Sequence, residues 1–352
     1  MNPIRVVVVD DSALCRDMLR AILELDGDIR VVGEAANGQE AEEVVARSQA
    51  HLVTLDVEMP HVGGLAAVER IMACTPVPIL VVTGRPADQR SALAFEAVRR
   101  GALDLIAKPA SDKESHEMRT LVRRLAAVPV VRHVAGRSAT SRGDRPTQER
   151  GLSVRKGASV CVVGIAASAG GPGAVTAVLS RLPRSFGASI AVVQHMLPGF
   201  APSFVRFLRM YTALGVQLVR EPTTLRPGTV FVAADEQDLL AGSGGLFAST
   251  PERPTGHRPS ADALFHSLAR THGAAAVGVV LSGIGKDGAA GLLAMREAGA
   301  LTIAQNEPTS AVYGMPRAAR ENGGAMRILA LEEIGDALMT AVHGSAGVAP
   351  RA

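Results

Sequence analysis

Five residues that could carry phosphoryl chemistry stand where apolar segments end in the first third of the chain. Asp10 and Asp11 follow the segment IRVVVV, and Asp56 lies near the end of LVTLDV. Thr83 and Lys108 end the two apolar segments that come next. Carboxylate oxygens are the ligands that Mg²⁺ prefers, and a metal ion with a lysine can hold phosphoryl oxygens. The three carboxylates predict a magnesium site, with Asp56 as the nucleophile and Thr83 placed to hydrogen-bond the transferred group.

A serine, a histidine and an aspartate hold similar positions in the second half. Ser168 follows the apolar segment VVGIAA, His195 follows IAVVQ, and Asp287 lies in the glycine-rich segment after VVLS. Because a serine hydroxyl is a weak nucleophile without a base, His195 would take its proton and Asp287 would orient the imidazole. Ala166 replaces the first glycine of G-x-S-x-G, and the order Ser–His–Asp differs from that of α/β-hydrolases, which argues against a standard lipase or esterase.

Each of these residues also has an ordinary structural role. An aspartate after a strand is usually a helix cap, so Asp11 or Ser12 could cap the helix that follows. A lone histidine at a strand end is more often structural, and Asp287 before a glycine is more often a turn residue. The turn at Ser168, taken alone, fits a nucleophile turn, a phosphate- or dinucleotide-binding turn, or a plain turn. The prediction of function therefore rests on the residues of each set occurring together and in this order, not on any single residue.

Both sets require strands that end at one edge of a sheet. Apolar segments alternate with helical patterns, which predicts parallel strands joined by right-handed crossovers, and function in such sheets gathers at the carboxyl ends of the strands. Strands are predicted near 4–9, 30–35, 52–57, 78–84 and 103–109, with a helix at 113–127, and then near 159–165, 188–194, 229–233, 276–282 and 300–304, with helices near 172–182, 201–212, 261–271 and 288–298.

The composition excludes several classes of protein. The chain has 352 residues, enough for two domains, and 47% of them are hydrophobic, which excludes a disordered chain. A net charge of +3, not gathered on one segment, gives no support for nucleic-acid binding.

No signal peptide or transmembrane segment is apparent, and the three scattered cysteines form no disulfide or zinc pattern. A reduced, cytoplasmic protein without membrane insertion is therefore expected. His257, His266 and His272 lack acidic partners at ligand spacing.

The segments VVVVDDS, LVTLDVEMP, VVTG and LIAKP, within roughly residues 1–125, resemble response-regulator receiver domains. Two positions depart from the usual receiver pattern. Gly63 stands where an aspartate is common, and Leu105 replaces the aromatic residue that usually lies three residues before the lysine.

The resemblance to receivers implies a role for each residue of the acidic set. It implies phosphorylation of Asp56 by a sensor histidine kinase and Mg²⁺ binding by Asp10 and Asp11 together with Asp56. It also implies that Thr83 is the switch hydroxyl and that Lys108 pairs with the phosphoryl group.

Residues 158–343 are similar to the chemotaxis protein-glutamate methylesterases, through SAGGP, VVQHMLPGFAPSFVRFL, HRPSADALFHSLA, LSGIGKDGAAGL and AQNEPTSAVYGMPRAA. The resemblance implies that Ser168, His195 and Asp287 are the catalytic residues and that hydrolysis needs no cofactor. Ala169 replaces the threonine that usually follows the serine, and Ile284 replaces the methionine of GMG.

Together the two resemblances imply a complete domain plan. The fold class is α/β, with two doubly wound parallel-sheet domains: an N-terminal flavodoxin-like receiver and a C-terminal three-layer α/β hydrolytic domain. The expected boundaries are 1–125 for the receiver, 126–157 for a flexible Arg-rich linker, 158–343 for the catalytic domain and 344–352 for a frayed tail. The linker is interpreted as a solvated tether, with an interaction segment as the alternative.

The same resemblances imply a phosphorylation-regulated enzyme. It would remove methyl esters from glutamate side chains of methyl-accepting chemoreceptors, releasing methanol, and it could also deamidate receptor glutamines. The alternative is a phosphorylation-dependent signalling adaptor with a weakened or lost esterase site. A transcription factor is disfavoured because the second half alternates strands and helices and contains no basic helix-turn-helix unit.

Overall fold

The computed structural model describes residues 2–59, 63–84, 91–128, 161–242, 245–249 and 257–343. Most of the predicted linker and the whole predicted tail lie outside these residues. Among the described helices, none combines the length and the apolarity that a bilayer crossing requires.

The first half is built on a five-stranded sheet whose strands are all parallel, in the order β2-β1-β3-β4-β5. Helices cover both faces, so the strands are short runs of Val, Ile and Leu that are buried on both sides. The strands are β1 (Ile4–Val9), β2 (Ile29–Ala35), β3 (Leu52–Leu55), β4 (Ile79–Thr83) and β5 (Asp104–Ala107), and the helices are α1 (Ala13–Glu24), α2 (Gly38–Ser48), α3 (Gly64–Cys74), α4 (Ser91–Arg99) and α5 (Asp112–Ala126).

The second half is built on a seven-stranded parallel sheet, in the order β14-β13-β12-β6-β7-β9-β8. An antiparallel hairpin, β10-β11, lies beside it. The strands are β6 (Val162–Ala167), β7 (Ser189–Gln194), β8 (Gly215–Val219), β9 (Thr229–Ala233), β10 (Asp238–Gly242), β11 (Gly245–Ser249), β12 (Ala276–Val280), β13 (Leu301–Gln305) and β14 (Arg327–Leu329), and the helices are α6 (Gly171–Leu179), α7 (Ala201–Tyr211), α8 (Ala261–Thr271), α9 (Ala289–Glu297), α10 (Met315–Glu321) and α11 (Leu331–His343).

The two sheets confirm the predicted doubly wound α/β class. The structure adds strands that the apolar pattern did not predict: β8 and β14 at the two edges of the larger sheet, and the hairpin. Edge strands are buried on fewer sides, so their sequences carry weaker signals; β8 contains Gln217, and Arg327 and Ile328 of β14 are exposed.

The two halves pack directly on each other through α4 and α7. Phe95 of α4 is fully buried, and its ring centroid lies 5.5 Å from that of Phe204 and 5.4 Å from that of Phe207. At the end of α7, the Tyr211 hydroxyl donates to the Glu96 carboxylate at 2.6 Å. Burial tends to raise the pKa of Glu96, but hydrogen bonds from Arg99, Tyr211 and Arg100 outweigh it and lower that pKa to about 2.

Candidate active site and phosphoacceptor site

Three neighbouring strands of the larger sheet deliver the serine, the histidine and the aspartate to one edge. The pairing of β6 with β7 places Ala167 opposite Gln194, so Ser168 and His195 are the next residue on each strand. Asp287 follows β12, which pairs with β6 on its other side. The structure therefore brings together three residues that are far apart in sequence, at the edge where the sequence predicts them.

His195 and Asp287 form a directly hydrogen-bonded pair. His195 Nε2 lies 2.9 Å from Asp287 Oδ2, and the two side chains are only 9% and 11% exposed. His195 Nδ1 is buried and has no hydrogen-bond partner among the described residues. With Nε2 committed to a carboxylate, Nδ1 keeps its lone pair and is the ring nitrogen that can accept a proton.

Asp287 is held by donors on all sides. Its carboxylate accepts from the backbone N–H groups of Ala261 and Asp262, at 2.7 and 3.0 Å, and from the Ser260 hydroxyl at 3.1 Å. These residues form the start of α8, where the helix dipole favours an anion. Burial tends to raise the pKa of Asp287, but His195 and these N–H groups hold it well below its usual range. Asp287 is thus an anion fixed in orientation, as a partner for an imidazolium requires.

The turn that carries Ser168 is fixed by a buried serine of the next strand end. The Ser168 N–H donates to the Ser282 carbonyl at 3.0 Å, and the Ser282 hydroxyl donates to the Ala169 carbonyl at 2.8 Å. Gly170 has φ +71°, and a Cβ there would lie 2.5 Å from the Ala311 Cβ, so only glycine fits. Ala169 lacks a hydroxyl, and its carbonyl accepts the hydroxyl of Ser282 from the neighbouring strand end.

His257 belongs to this site although its sequence spacing gave no sign of it. Its ring stacks on that of His195, with centroids 4.5 Å apart and an angle of 15° between the planes. Desolvation of the packed ring lowers the pKa of His257, the proximity of His195 and Arg124 lowers it further, and the Asp287 carboxylate opposes these effects. A neutral ring against His195 limits how that imidazole can tilt.

The acidic residues of the smaller sheet also meet at one edge. Carboxylate oxygens of Asp10, Asp11 and Asp56 lie within 4.8 Å of one another, a set of hard oxygen donors that fits Mg²⁺. The Ser12 hydroxyl, not Asp11, caps α1 by accepting the Cys15 N–H at 3.3 Å, which leaves the Asp11 carboxylate for the pocket.

Lys108 pairs with two of these carboxylates. Its Nζ lies 2.7 Å from Asp10 Oδ2 and 2.6 Å from Asp56 Oδ2. Burial tends to lower the pKa of Lys108, but the two carboxylates raise it above its usual value. Burial raises the pKa of Asp56, against the opposing effect of Lys108. The pocket therefore holds a fixed cation next to the predicted nucleophile.

Thr83 lies at the end of β4 beside this pocket and is 1% exposed. Its hydroxyl donates to Glu58 Oε1 at 3.4 Å. Leu105, on the neighbouring strand, is 4% exposed and packs in the hydrophobic core. All eight residues predicted from the sequence thus lie in two clusters, one at the edge of each sheet.

Comparison with known proteins matches both halves. Residues 163–338 match the family model for CheB methylesterase, and residues 6–120 match that for the response regulator receiver domain. The protein-glutamate methylesterase/protein-glutamine glutaminase 3 of Paramagnetospirillum magneticum is 39% identical, over 99% of this chain and 98% of that protein. The corresponding enzyme 2 of Anaeromyxobacter dehalogenans is 40% identical, over 96% of each chain.

Among solved structures, the CheB methylesterase catalytic domain of Thermotoga maritima aligns with 51% of this chain and 98% of its own, at 31% identity and a TM-score of 0.49. The assignment rests on the sequence matches, which extend over almost the whole chain. The chain therefore belongs to the CheB methylesterase family, with a receiver domain preceding the methylesterase domain.

Proposed function

We propose that the chain hydrolyses the methyl esters of chemoreceptor glutamates and deamidates chemoreceptor glutamines, with Ser168, His195 and Asp287 as its catalytic residues. The names of its relatives support methyl esters of protein glutamates and protein glutamines as the groups that react. The observation that carries the proposal is the orientation of His195, whose Nε2 is bound to Asp287 while Nδ1 is left without a partner at the strand end next to Ser168.

These residues supply each proton transfer that ester hydrolysis needs. Ser168 Oγ attacks the ester carbonyl while His195 Nδ1 takes its proton, and Asp287 stabilises the resulting imidazolium. The imidazolium then protonates the departing methoxide, which leaves as methanol. Water attacks the acyl-enzyme while His195 accepts its proton, and the imidazolium then returns this proton to Ser168 Oγ as the bond from Oγ to the acyl carbon breaks, which releases the glutamate. With glutamine as substrate, the same steps release ammonia.

In the receiver, we propose that Asp56 accepts a phosphoryl group from a sensor histidine kinase. Asp10, Asp11 and Asp56 would hold the Mg²⁺ ion, which neutralises phosphoryl charge. Lys108 is placed to pair with a phosphoryl oxygen once its contact with Asp56 is broken. Thr83 can turn its hydroxyl from Glu58 toward the same group.

The receiver restrains the active site through its α4 and β5 edge. The Leu103 carbonyl accepts the N–H of Gly170 at 2.6 Å, two residues beyond Ser168. Leu103 and Lys108 flank the two ends of β5, a strand of 4 residues, so the phosphoacceptor pocket and the interdomain contact share one short element. A shift of β5 on phosphorylation would change the contact beside the nucleophile.

The function is tested by measuring methanol released from receptor membranes that carry labelled methyl esters. With Mg²⁺ and a small-molecule phosphodonor, the wild-type chain is expected to release methanol at least about tenfold faster than without the donor. Asp56→Asn should keep the basal rate and lose this stimulation. Absence of methanol release under every condition would favour the signalling adaptor, and stimulation of Asp56→Asn would exclude Asp56 as the acceptor.

The restraint is tested by Phe95→Ala in the full chain. Phenylalanine-to-alanine changes in cores cost about 3–5 kcal/mol, and here part of that cost falls on the contact with α7. Basal methanol release without phosphodonor is expected to rise roughly tenfold. Leu93→Ala is the matched control, since Leu93 is on the same helix and is 41% exposed. An unchanged basal rate in folded Phe95→Ala would show that this contact does not restrain the enzyme.

A further inference from the structure

Gln194 joins the two strand ends that carry the nucleophile and the base. Its side chain is 2% exposed, and its Nε2 donates to the Ser168 carbonyl at 2.8 Å and to the His195 carbonyl at 3.0 Å. Beyond Ala167, whose carbonyl accepts the His195 N–H at 2.9 Å, the β6–β7 ladder ends. The amide of Gln194 thus links the two segments that follow β6 and β7, one residue beyond the last pair of the ladder.

The orientation of this amide is set by its surroundings. Turning it over would place Oε1 against two carbonyl oxygens and leave both carbonyls without the Nε2 donor. On the other side, a Cβ at Gly171 would lie 2.1 Å from Oε1, so the amide packs directly on the first residue of α6. Oε1 is buried and has no hydrogen-bond partner among the described residues. Oε1 therefore stays unsatisfied, whereas the two amide hydrogens of Nε2 bond to the carbonyls of Ser168 and His195.

We propose that Gln194 is a positioning residue, which fixes the distance between Ser168 and His195. The inference rests on the proposed roles of these two residues. A side chain that donates to both carbonyls restrains the two turns relative to each other. Proton transfer from Ser168 to His195 depends steeply on this separation, since a displacement of about 1 Å can cost about a hundredfold in rate.

Two substitutions of Gln194 test the proposal. Gln194→Met keeps the length and removes the donor; kcat for methanol release is expected to fall about 10- to 100-fold, with KM within about threefold of wild type. Gln194→Glu keeps the shape but sets a carboxylate oxygen against the two carbonyls, so a larger loss is expected. Gly171→Ala would place a Cβ 2.1 Å from Gln194 Oε1 and 2.9 Å from the Ala167 Cβ, so it must displace this amide and should lower kcat as well.

Thr302→Val is the control for loss of a buried hydrogen bond elsewhere in the sheet. The Thr302 hydroxyl, on β13, donates to the Gly324 carbonyl at 2.6 Å and accepts the Met326 N–H at 3.1 Å, and β12 separates β13 from the strands that carry Ser168 and His195. This variant is expected to lower Tm while kcat stays within about twofold of wild type. A Gln194→Met enzyme with lowered Tm and unchanged kcat would overturn the proposal, because the amide would then be only a structural contact.

A second measurement separates this inference from the proposed substrate. A fluorophosphonate forms a bond from Ser168 Oγ to phosphorus and expels fluoride as His195 takes the hydroxyl proton, so labelling reports activation of the serine without any receptor. If the wild-type chain is labelled but releases no methanol, the substrate is wrong and slower labelling of Gln194→Met still supports the inference. Equal labelling rates of wild type, Gln194→Met, Gln194→Glu and Gly171→Ala would overturn the inference.

Discussion

Ser168→Ala is expected to lower kcat for methanol release by about 10⁴- to 10⁶-fold. The substitution removes the one atom that forms the acyl-enzyme, and triads behave as units in which loss of the nucleophile costs nearly as much as loss of the whole set. The remaining rate would come from substrate binding and from the fixed dipoles of the turn. Ammonia release from receptor glutamine should fall by a similar factor, because both reactions pass through the same acyl-enzyme.

The measurement compares initial rates of methanol release by the phosphorylated proteins. Ser189→Ala is a suitable control because Ser189, at the start of β7, is 1% exposed and its hydroxyl has no hydrogen-bond partner among the described residues. Its activity should stay within about twofold of wild type. A Ser168→Ala enzyme as active as this control would remove Ser168 from the mechanism and leave the family assignment unaffected.

Asp287→Asn is expected to lower kcat by about 10³- to 10⁴-fold. Asp287 accepts the Nε2 hydrogen of His195 and so keeps Nδ1 free to act as the base. An asparagine at this position carries an NH₂ group, yet the groups around both carboxylate oxygens are donors, including the N–H groups of Ala261 and Asp262. Wherever its nitrogen is placed, a donor faces a donor, and the charge that stabilises the imidazolium is lost.

The same substitution should change how stability depends on pH. Since the pKa of Asp287 is lower in the folded chain than in the unfolded one, its ionised form stabilises the fold above the unfolded value of about 3.9, and this contribution is lost as pH falls through the folded value. Asp287→Asn should therefore have a lower Tm than wild type at pH 7, and its Tm should fall less than that of wild type as the pH is lowered.

The control for this pair of effects is Asp235→Asn. Asp235 accepts the Ala201 N–H at 3.2 Å, at the start of α7, and forms no hydrogen bond or ion pair with His195 among the described residues. Its kcat should stay within about threefold of wild type. An Asp287→Asn enzyme with a kcat near that of this control would show that His195 is oriented without the carboxylate.

The sequence by itself determined the two parallel sheets and the edges at which the chemistry is placed. The runs VVVV (6–9) and IAVV (190–193) are apolar along their whole length, as strands covered on both faces must be. Asp10 follows the first run directly, and only Gln194 separates the second run from His195. Since all strands of such a sheet point the same way, residues after different strands meet at one edge whatever the strand order is. The positions of Asp56 and Ser168 after apolar runs are therefore enough to predict that each lies at such an edge.

The tertiary structure alone decided which atoms meet. His195 and Asp287 are separated by 92 residues, and only the placement of β7 and β12 on either side of β6 determines that Nε2 is the nitrogen that binds the carboxylate. His257 and Gln194 lie in segments that resemble the family, but the sequence assigns neither of them a role, because stacking and buried amide bonds depend on distant neighbours and not on local periodicity. The contact of Phe95 with α7 could not be predicted for the same reason, because the sequence around a buried phenylalanine does not show which element it packs against.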